Sequence, residues 1–397
     1  MQPIEIKPGI FFVGVNDEKT ELFEGMWPIR QEGISYNSYL IRDEKNVLVD
    51  LCKDITGEEY LSELKNVIDP ARIDYLVINH MEPDHTGAIE QLRQLNPQVV
   101  ILCSEKARAM LTNFYGISDP VQAVSEGDTL RLGKHTLQFY ATPNVHWPET
   151  MMTYETSQKV LFSCDGFGGY GRLDGGIFDD DCGKREWYEQ EAMRYFANIV
   201  VSFSKPVLMA IAKLAKVELS MVAPSHGLVW RKDARRIVQL YEKWSNYREK
   251  PEGKVTLLTG SMYGNTERMS TAVEEGLRES QISFFHFDIT KTHVSYILPY
   301  LMSTQGVLIG APTYEGRLFP AMSQVLEIAG IKHLGTKKAA YFGSYGWGGG
   351  GLRALTEKLE GLKWELVEAL DFPGRPTAEL LKRGKELGNR FGSLIKG

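Results

Sequence analysis

The sequence predicts an α/β protein of two domains: a sandwich of mixed sheets with helices outside, followed by a doubly wound parallel sheet. Three observations carry this. At 397 residues the chain is too long for one ordinary core. Residues 1–250 mix strands joined by hairpins with strands joined by helices, which points to sheet packed on sheet with helices on the outer faces. Residues 254–397 repeat strand, Gly-rich loop and helix three times, the pattern of an open parallel sheet that binds a ligand at its strand ends.

Composition sets the class. With 43% hydrophobic and 24% charged residues the chain is globular, and a formal charge of -6 argues against a nucleic-acid partner. Met1 to Lys7 lead straight into an apolar strand instead of a basic start and an apolar helix, so no leader is expected. No apolar run reads as long enough to span a bilayer, and the expected location is the cytoplasm. Cys52, Cys103, Cys164 and Cys182 stand far apart with no CxxC pair, which excludes a rubredoxin-like or zinc-ribbon site among them. Cys52 and Cys103, in or beside apolar strands, read as buried thiols, and disulfides are not expected.

In the first domain, Gly9 to Val15, Tyr36 to Ile41 and Asn46 to Leu51 read as strands, the last two joined by the polar turn Arg42 to Lys45. A helix is expected over Glu58 to Val67. The apolar strand Ile73 to Asn79 then delivers INHMEPDHTG, Ile78 to Gly87. In an extended chain side chains repeat every second residue, so His80, Glu82 and Asp84 are expected on one side, and His85 begins a helix running to Leu95. Singly, a loop His or Asp is most simply a solvated residue. Four such groups within six residues would repel one another or lose solvation without a cation, so together they predict a metal site.

Further candidates fall where later strands end. After the strand Val99 to Cys103, a helix near Lys106 to Tyr115 and hairpin strands from Asp128 to Thr142, the strand Leu137 to Ala141 runs into Thr142, Pro143, Asn144, Val145 and His146. Val160 to Cys164 stops at Asp165 before Gly166, Gly168 and Gly169, and Ser220 to Ala223 runs into Pro224, Ser225, His226 and Gly227. Loops at strand ends are where active sites gather. His135, in a Gly-Lys-His-Thr hairpin turn, reads as surface. The candidate set is therefore His80, Glu82, Asp84, His85, His146, Asp165 and His226. Seven ligands are too many for one transition ion, so two metals are implied, roughly 3.5 to 4 Å apart as in other two-metal sites. The expected division is His80, Glu82 and His146 on one ion and Asp84, His85 and His226 on the other, with Asp165 shared. The residues alone leave open whether His85 coordinates or stands behind Asp84.

Helices are expected over Glu186 to Val201 and Lys205 to Leu214, with Pro206 near the start of the second, where it is tolerated. A helix over Asp233 to Arg248 closes the domain, and Glu249 to Lys254 read as the linker.

In the second domain the strand Val255 to Leu258 is followed by Thr259, Gly260, Ser261, Met262, Tyr263, Gly264, Asn265 and Thr266, then a helix to Glu279. Backbone N–H groups at a helix start, with hydroxyls beside them, form a phosphate site. No Lys follows Gly264, so this is not a Walker loop. Two more loops follow strands: Gly306 to Ile309 leads to Ala311, Pro312, Thr313 and Tyr314, and Ala339 to Phe342 leads to Ser344, Tyr345, Gly346, Trp347, Gly348 and Gly349. Helices are expected over Phe319 to Ala329, Gly351 to Leu359 and Thr377 to Leu394. Tyr314 and Trp347 could flank a planar ring.

These motifs carry a resemblance. The loop of His80 to His85 is similar to the HxHxDH signature of the metallo-β-lactamase superfamily, with Glu82 where the second His normally stands. A carboxylate there is a harder ligand than imidazole, and the mixed set suits iron better than a His-dominated zinc site. The Ser261 to Thr266 loop resembles the phosphate loop of flavodoxins, which bind FMN. Together, over essentially the whole chain, the sequence resembles the flavodiiron protein family.

That resemblance implies a metallo-β-lactamase-like αββα domain followed by a flavodoxin-like domain. It implies an oxidoreductase that passes electrons from FMN to a di-iron site reducing O2 to water, NO to N2O, or both. It implies a role near the irons for Tyr195, which by itself reads equally well as a core tyrosine, and a separate electron donor of the rubredoxin type. It also implies a head-to-tail homodimer or dimer of dimers. Domains of this size have radii of gyration of about 18 and 14 Å, so one chain's cofactors could lie too far apart for electron transfer. The rival reading is a zinc hydrolase on the same scaffold with a flavodoxin docking module; a non-enzymatic electron carrier with a structural metal is a second.

Overall fold

A computed structural model describes residues 1–397. It divides them into two compact units, Met1–Glu242 and Lys243–Gly397.

In the first unit seven strands form a mixed sheet in the order Ile4–Lys7, Ile10–Phe12, Tyr39–Ile41, Val47–Val49, Tyr75–Val77, Val100–Cys103, Val121–Ala123. The last four run parallel to one another, because helices cross between them. A second sheet orders Thr129–Arg131, Thr136–Ala141, Met151–Glu155, Val160–Cys164 and Met221–Pro224, antiparallel except for its final parallel pair. The central strands are continuous apolar runs buried on both faces, as expected of sheets covered on either side. The sheets meet through Tyr39, whose ring lies 5.0 Å from that of Phe162 and whose hydroxyl donates to Pro224 O at 2.7 Å. Helix Glu105–Tyr115 shows how local sequence sets an element: Ser104 Oγ accepts the Ala107 N–H at its start, and Gly116 ends it at φ 65°, a left-handed conformation natural to glycine.

Several expectations need correction. The expected strand Ile73 to Asn79 is regular only over Tyr75–Val77. Strand Met151–Glu155 was not anticipated; its Thr153 and Glu155 are polar yet fully buried. His135 is not at the surface: only 5% exposed, its Nδ1 lies 3.2 Å from Glu155 Oε1. The two helices expected over 186–214 form one helical path instead. It consists of an α-helix over Arg185–Tyr195, a π-turn over Phe196–Val200, a 3-10 turn over Val201–Phe203 and an α-helix over Ser204–Leu214. By length and composition this 30-residue path could cross a bilayer, contrary to the reading of the sequence, but 56% of its most apolar stretch is buried within the protein, as in the core helix of a globular domain.

The second unit is a five-stranded parallel sheet ordered Phe284–Asp288, Glu252–Thr259, Thr304–Gly310, Lys338–Tyr345, Glu365–Pro373. In chain order this is 2-1-3-4-5, with the switch point between the strands Glu252–Thr259 and Thr304–Gly310. The strand begins at Glu252, so the supposed linker residues Glu252 to Lys254 are part of the sheet. Both edge strands escaped the sequence reading, because Phe284–Asp288 carries His286 and Asp288 and Glu365–Pro373 carries the acids Glu365, Glu368 and Asp371, so neither is a simple apolar run. Helix Val294–Ser303 was missed too; Pro299 lies inside it. On one face Val255, Leu257, Leu308 and Phe342 pack against Val273 and Leu277 of helix Asn265–Glu279 and Leu387, Phe391 and Ile395 of helix Ala378–Lys396. Burial of each such side chain contributes about 1.5–3 kcal/mol. These helices approach closely enough that a Cβ on Gly276 would overlap Lys385 O.

Candidate metal centre and cofactor site

The seven candidates converge at the carboxyl ends of the strands in Met1–Glu242. The first ligand loop is anchored from behind: Asn79 donates through its backbone N and Nδ2 to Asp50 Oδ1 and Oδ2 at 2.8 and 2.9 Å. The alternation expected through Asp84 ends at Glu82, which precedes the short helix Pro83–Thr86. Asp84 and His85 thus reach the site from a helical turn. Asp165 follows Cys164, whose φ of 51° turns the chain out of its strand. The His226 loop is held by Asn37 Nδ2, which donates to Pro224 O and Gly227 O, both at 2.9 Å. Gly227 sits at φ 73°, where a Cβ would press on the backbone of Gly169.

The donor atoms form two groups. His80 Nε2 and His146 Nε2 lie 3.3 and 3.0 Å from Glu82 Oε2 and 3.4 and 3.1 Å from Asp165 Oδ2. His85 Nε2 and His226 Nε2 lie 2.9 and 3.2 Å from Asp165 Oδ1, and 3.4 and 3.2 Å from Asp84 oxygens. Within each of the sets His80, Glu82, His146, Asp165 and Asp84, His85, His226 the ligand atoms all lie within 4.8 Å of one another. Asp165 therefore stands between the groups with one oxygen facing each.

The electrostatics call for cations. Burial opposes every charge here, yet Asp165 and Glu82 drive the His146 imidazole up to about 9, and Asp165 and Asp84 drive that of His226 up to about 10. Burial is likewise outweighed at Glu82, which the histidines His146 and His80 hold down at about 2. His85 and other imidazoles hold Asp165 well below the usual carboxylate range. Ionised carboxylates in a buried site require positive charge beside them. Both Asp84 oxygens and Asp165 Oδ2 are buried without a directed hydrogen bond, an arrangement that fits metal ions and that proton-bearing partners leave unsatisfied.

Residues the sequence reading missed support the ligands. Glu149 Oε1 lies 2.6 Å from His80 Nδ1 and accepts the Met81 N–H at 3.0 Å; Ser35 O lies 2.8 Å from His226 Nδ1. The one available signal was an acid three residues beyond His146 in the same loop. Aromatic rings wall the site. Trp147 lies edge-on to His80 at 5.0 Å, and Phe23, Tyr36 and Tyr195 surround His226 at 5.8, 5.8 and 5.6 Å. Tyr195 is fully buried and its hydroxyl has no hydrogen-bond partner. Burial, then the charges of Asp165, Asp84 and Glu82, keep it protonated far above its ordinary range.

In Lys243–Gly397 a cavity of about 330 Å³ opens at the strand ends, beside the switch point. Ser261, Met262, Tyr263 and Asn265 line it from the first loop, Pro312, Thr313 and Tyr314 from the second, and Ser344, Tyr345, Gly346 and Trp347 from the third. Of the other candidates, Thr266 lies buried beneath, its Oγ1 3.0 Å from Ser344 Oγ. Gly264, at φ 84°, makes the turn that lets its N–H reach Ser261 Oγ at 3.0 Å. Ala311 is buried, its carbonyl accepting from Tyr341, and Gly348 and Gly349 stand outside the lining. Glu315 and Gly374 line the cavity and were not anticipated. Trp347 and Tyr263 are 97% and 91% exposed, a poor position for large rings unless something planar lies against them. With hydroxyls at a helix start, this cavity fits a phosphate-bearing aromatic ligand. A wider cleft of about 1280 Å³ shares Tyr314 and Glu315, but its Arg317, Glu327, Arg353 and Glu357 make it a charged, open surface.

Known proteins repeat both halves. The family described as ODP family beta lactamase matches residues 34–227 and the flavodoxin family residues 257–385. Nitric oxide reductase of Moorella thermoacetica is 33% identical over 390 residues, 97% of this chain and 96% of that protein. Anaerobic nitric oxide reductase flavorubredoxin of Escherichia coli K12 is 36% identical over 394 residues, 98% of this chain and 81% of that protein. Among solved structures, the flavodiiron protein from Giardia intestinalis superposes with a TM-score of 0.93 at 29% identity, over 100% of this chain and 97% of that one. Rubredoxin oxygen:oxidoreductase from Desulfovibrio gigas also gives 0.93, at 30% identity over 100% and 99%. With similarity running through both units, and with the seven-residue cluster and the loop cavity each in place, the chain belongs to the flavodiiron protein family.

Proposed function

We propose that this chain is a flavodiiron oxidoreductase in which FMN bound in the second unit feeds electrons to two irons that reduce O2 to water, NO to N2O, or both. The observation that carries this is Asp165 standing between two ligand groups, one oxygen toward each. In this reading residues 1–250 hold the irons and residues 254–397 the flavin. His80, Glu82 and His146 would hold one iron and Asp84, His85 and His226 the other, with Asp165 offering one oxygen to each group. Iron supplies one-electron chemistry and open positions for a diatomic molecule, and flavin supplies electrons singly.

The protein's own residues do the rest. Three carboxylates in the two groups balance cationic metals. Trp147, Phe23, Tyr36 and Tyr195 exclude water from the site. The Tyr195 hydroxyl, buried, unpartnered and protonated, is a hydrogen-bond or proton donor kept for the substrate. In the second unit Ser261, Asn265 and Thr266 with the helix start at Asn265 take the phosphate, and Tyr314 and Trp347 flank the flavin ring. A rubredoxin-type donor is inferred from the names of the Desulfovibrio gigas and Escherichia coli relatives, since this chain's cysteines are buried singly. Free buried thiols also favour the cytoplasm. A head-to-tail dimer, or a pair of such dimers, brings one subunit's flavin to the other's irons.

The test is metal and flavin content after purification without oxygen or added metal. About two irons per chain and one FMN are expected, with NADH-driven consumption of O2 or NO once a reductase and a rubredoxin are supplied. Zinc in protein from iron-replete cells, with ester or thioester hydrolysis, would overturn the proposal in favour of a hydrolase. Full turnover by a protein that sediments as a monomer would remove the dimer.

A further inference from the structure

The imidazoles of the cluster are supported unequally from behind. His80 Nδ1 is 2.6 Å from Glu149 Oε1, and both side chains are fully buried. The same oxygen accepts the Met81 N–H, while Glu149 Oε2 has no partner. His226 Nδ1 instead faces the neutral Ser35 carbonyl, and His85 Nδ1 has no partner. Asp50, the other buried carboxylate nearby, is engaged by Asn79 and by no imidazole. Glu149 is thus the one carboxylate placed behind a ligand.

Its position in the chain adds to this. Glu149 belongs to the loop that carries His146, and its carbonyl accepts from Ser104 Oγ at 2.7 Å. Its side chain therefore ties the His146 loop to the His80 loop. A carboxylate behind an imidazole fixes the ring and the Nδ1–H tautomer, directs the Nε2 lone pair at the cation and raises its basicity. The two ligand groups otherwise match: each has two imidazoles, one carboxylate of its own and one oxygen of Asp165.

We propose that Glu149 is a positioning residue that makes the two metal positions unequal, so that the position of His80, Glu82 and His146 binds its cation more tightly than that of Asp84, His85 and His226. This rests on the reading of the cluster as a two-metal site, and is independent of which metal it holds or which reaction it runs.

The test is titration of the full, metal-stripped chain with cobalt(II) chloride, followed by visible absorption. Wild type takes up two equivalents in distinguishable steps. Glu149→Gln keeps the size and an acceptor but removes the charge, and is expected to weaken the tighter step about 10- to 100-fold and leave the other unchanged. His146→Ala identifies the tighter step by abolishing it. Glu149→Asp restores the charge at shorter reach and is expected to be intermediate; it carries the test should Glu149→Gln fail to fold, as judged by circular dichroism and retained FMN. A Glu149→Gln titration superimposable on wild type, or equal weakening of both steps, overturns the inference. Wild type that binds two cobalt ions in unequal steps, but whose iron- and FMN-loaded form reduces neither O2 nor NO with an electron donor supplied, defeats the proposed function and leaves this inference standing.

Discussion

Asp165 Oδ1 lies 2.9 Å from His85 Nε2, the shortest contact that carboxylate makes with the four histidines around it. The approach sets His85 Nε2 within 4.8 Å of the Asp84 and His226 donor atoms, and its Nδ1 meets no partner on the far side. One carboxylate spanning two groups has a direct consequence. Asp165→Asn keeps the shape and removes the bridging charge, so bound metal is expected to fall from about two per chain to one or none while FMN is retained. Metal analysis beside a flavin spectrum checks it; two metals in the variant would refute the bridge.

Tyr195 offers a cleaner separation of chemistry from folding. Its hydroxyl is buried without a partner, so Tyr195→Phe removes an unsatisfied group and is expected to leave stability unchanged or slightly raised. If the hydroxyl serves the reaction, turnover falls by about 10²-fold or more with metals and flavin in place. Equal turnover in the two proteins would assign the residue to packing alone.

Trp347 is 97% exposed at the rim of the cavity in the second unit. An aromatic face contributes about 0.5–1.5 kcal/mol through stacking beyond area burial. Trp347→Ala is therefore expected to raise the FMN dissociation constant by about 3- to 10-fold without altering the unfolding midpoint of the FMN-free chain. Quenching of FMN fluorescence measures it, and unchanged affinity would place the flavin elsewhere.

Lys337 gives a pH dependence unconnected with metal. Its Nζ donates to Thr304 O at 2.6 Å but has no carboxylate partner, and burial pushes its amine from 10.5 down to about 7. Below pH 7 the amine is charged in both folded and unfolded chains, and the full penalty of burying the charge is felt. Between pH 7 and 10.5 the unfolded chain holds the extra proton, so stability rises with pH, by at most about 1.4 kcal/mol per unit. Lys337→Met is expected to be more stable than wild type near pH 6, with the advantage shrinking toward pH 10. Urea unfolding at both pH values checks this; a constant difference would mean the amine stays protonated when buried.

The seven residues that cluster in the first unit were legible because each of the four loops announces itself locally. An apolar strand ends, Pro or Gly follows, and a group able to bind metal stands at the junction. The first loop of the second unit's cavity is legible for the same reason, since Ser261 to Thr266 lie between a strand and a helix that their own residues predict. Elements without a clean local signal were lost: the edge strand Phe284–Asp288, the buried polar strand Met151–Glu155, and His135, whose burial depends on Glu155 in a neighbouring strand.

The sequence by itself determined that this chain has two α/β units and which side chains stand at the ends of the strands that carry the two candidate sites. Only the tertiary structure decided which groups meet. Glu149 reaches His80 across 69 positions and Ser35 reaches His226 across 191, and the register of the strands between them sets both distances. Periodicity and propensity are properties of a few neighbouring residues. A hydrogen bond behind a ligand, or a carboxylate with one oxygen toward each of two histidine pairs, is a property of sheets already packed.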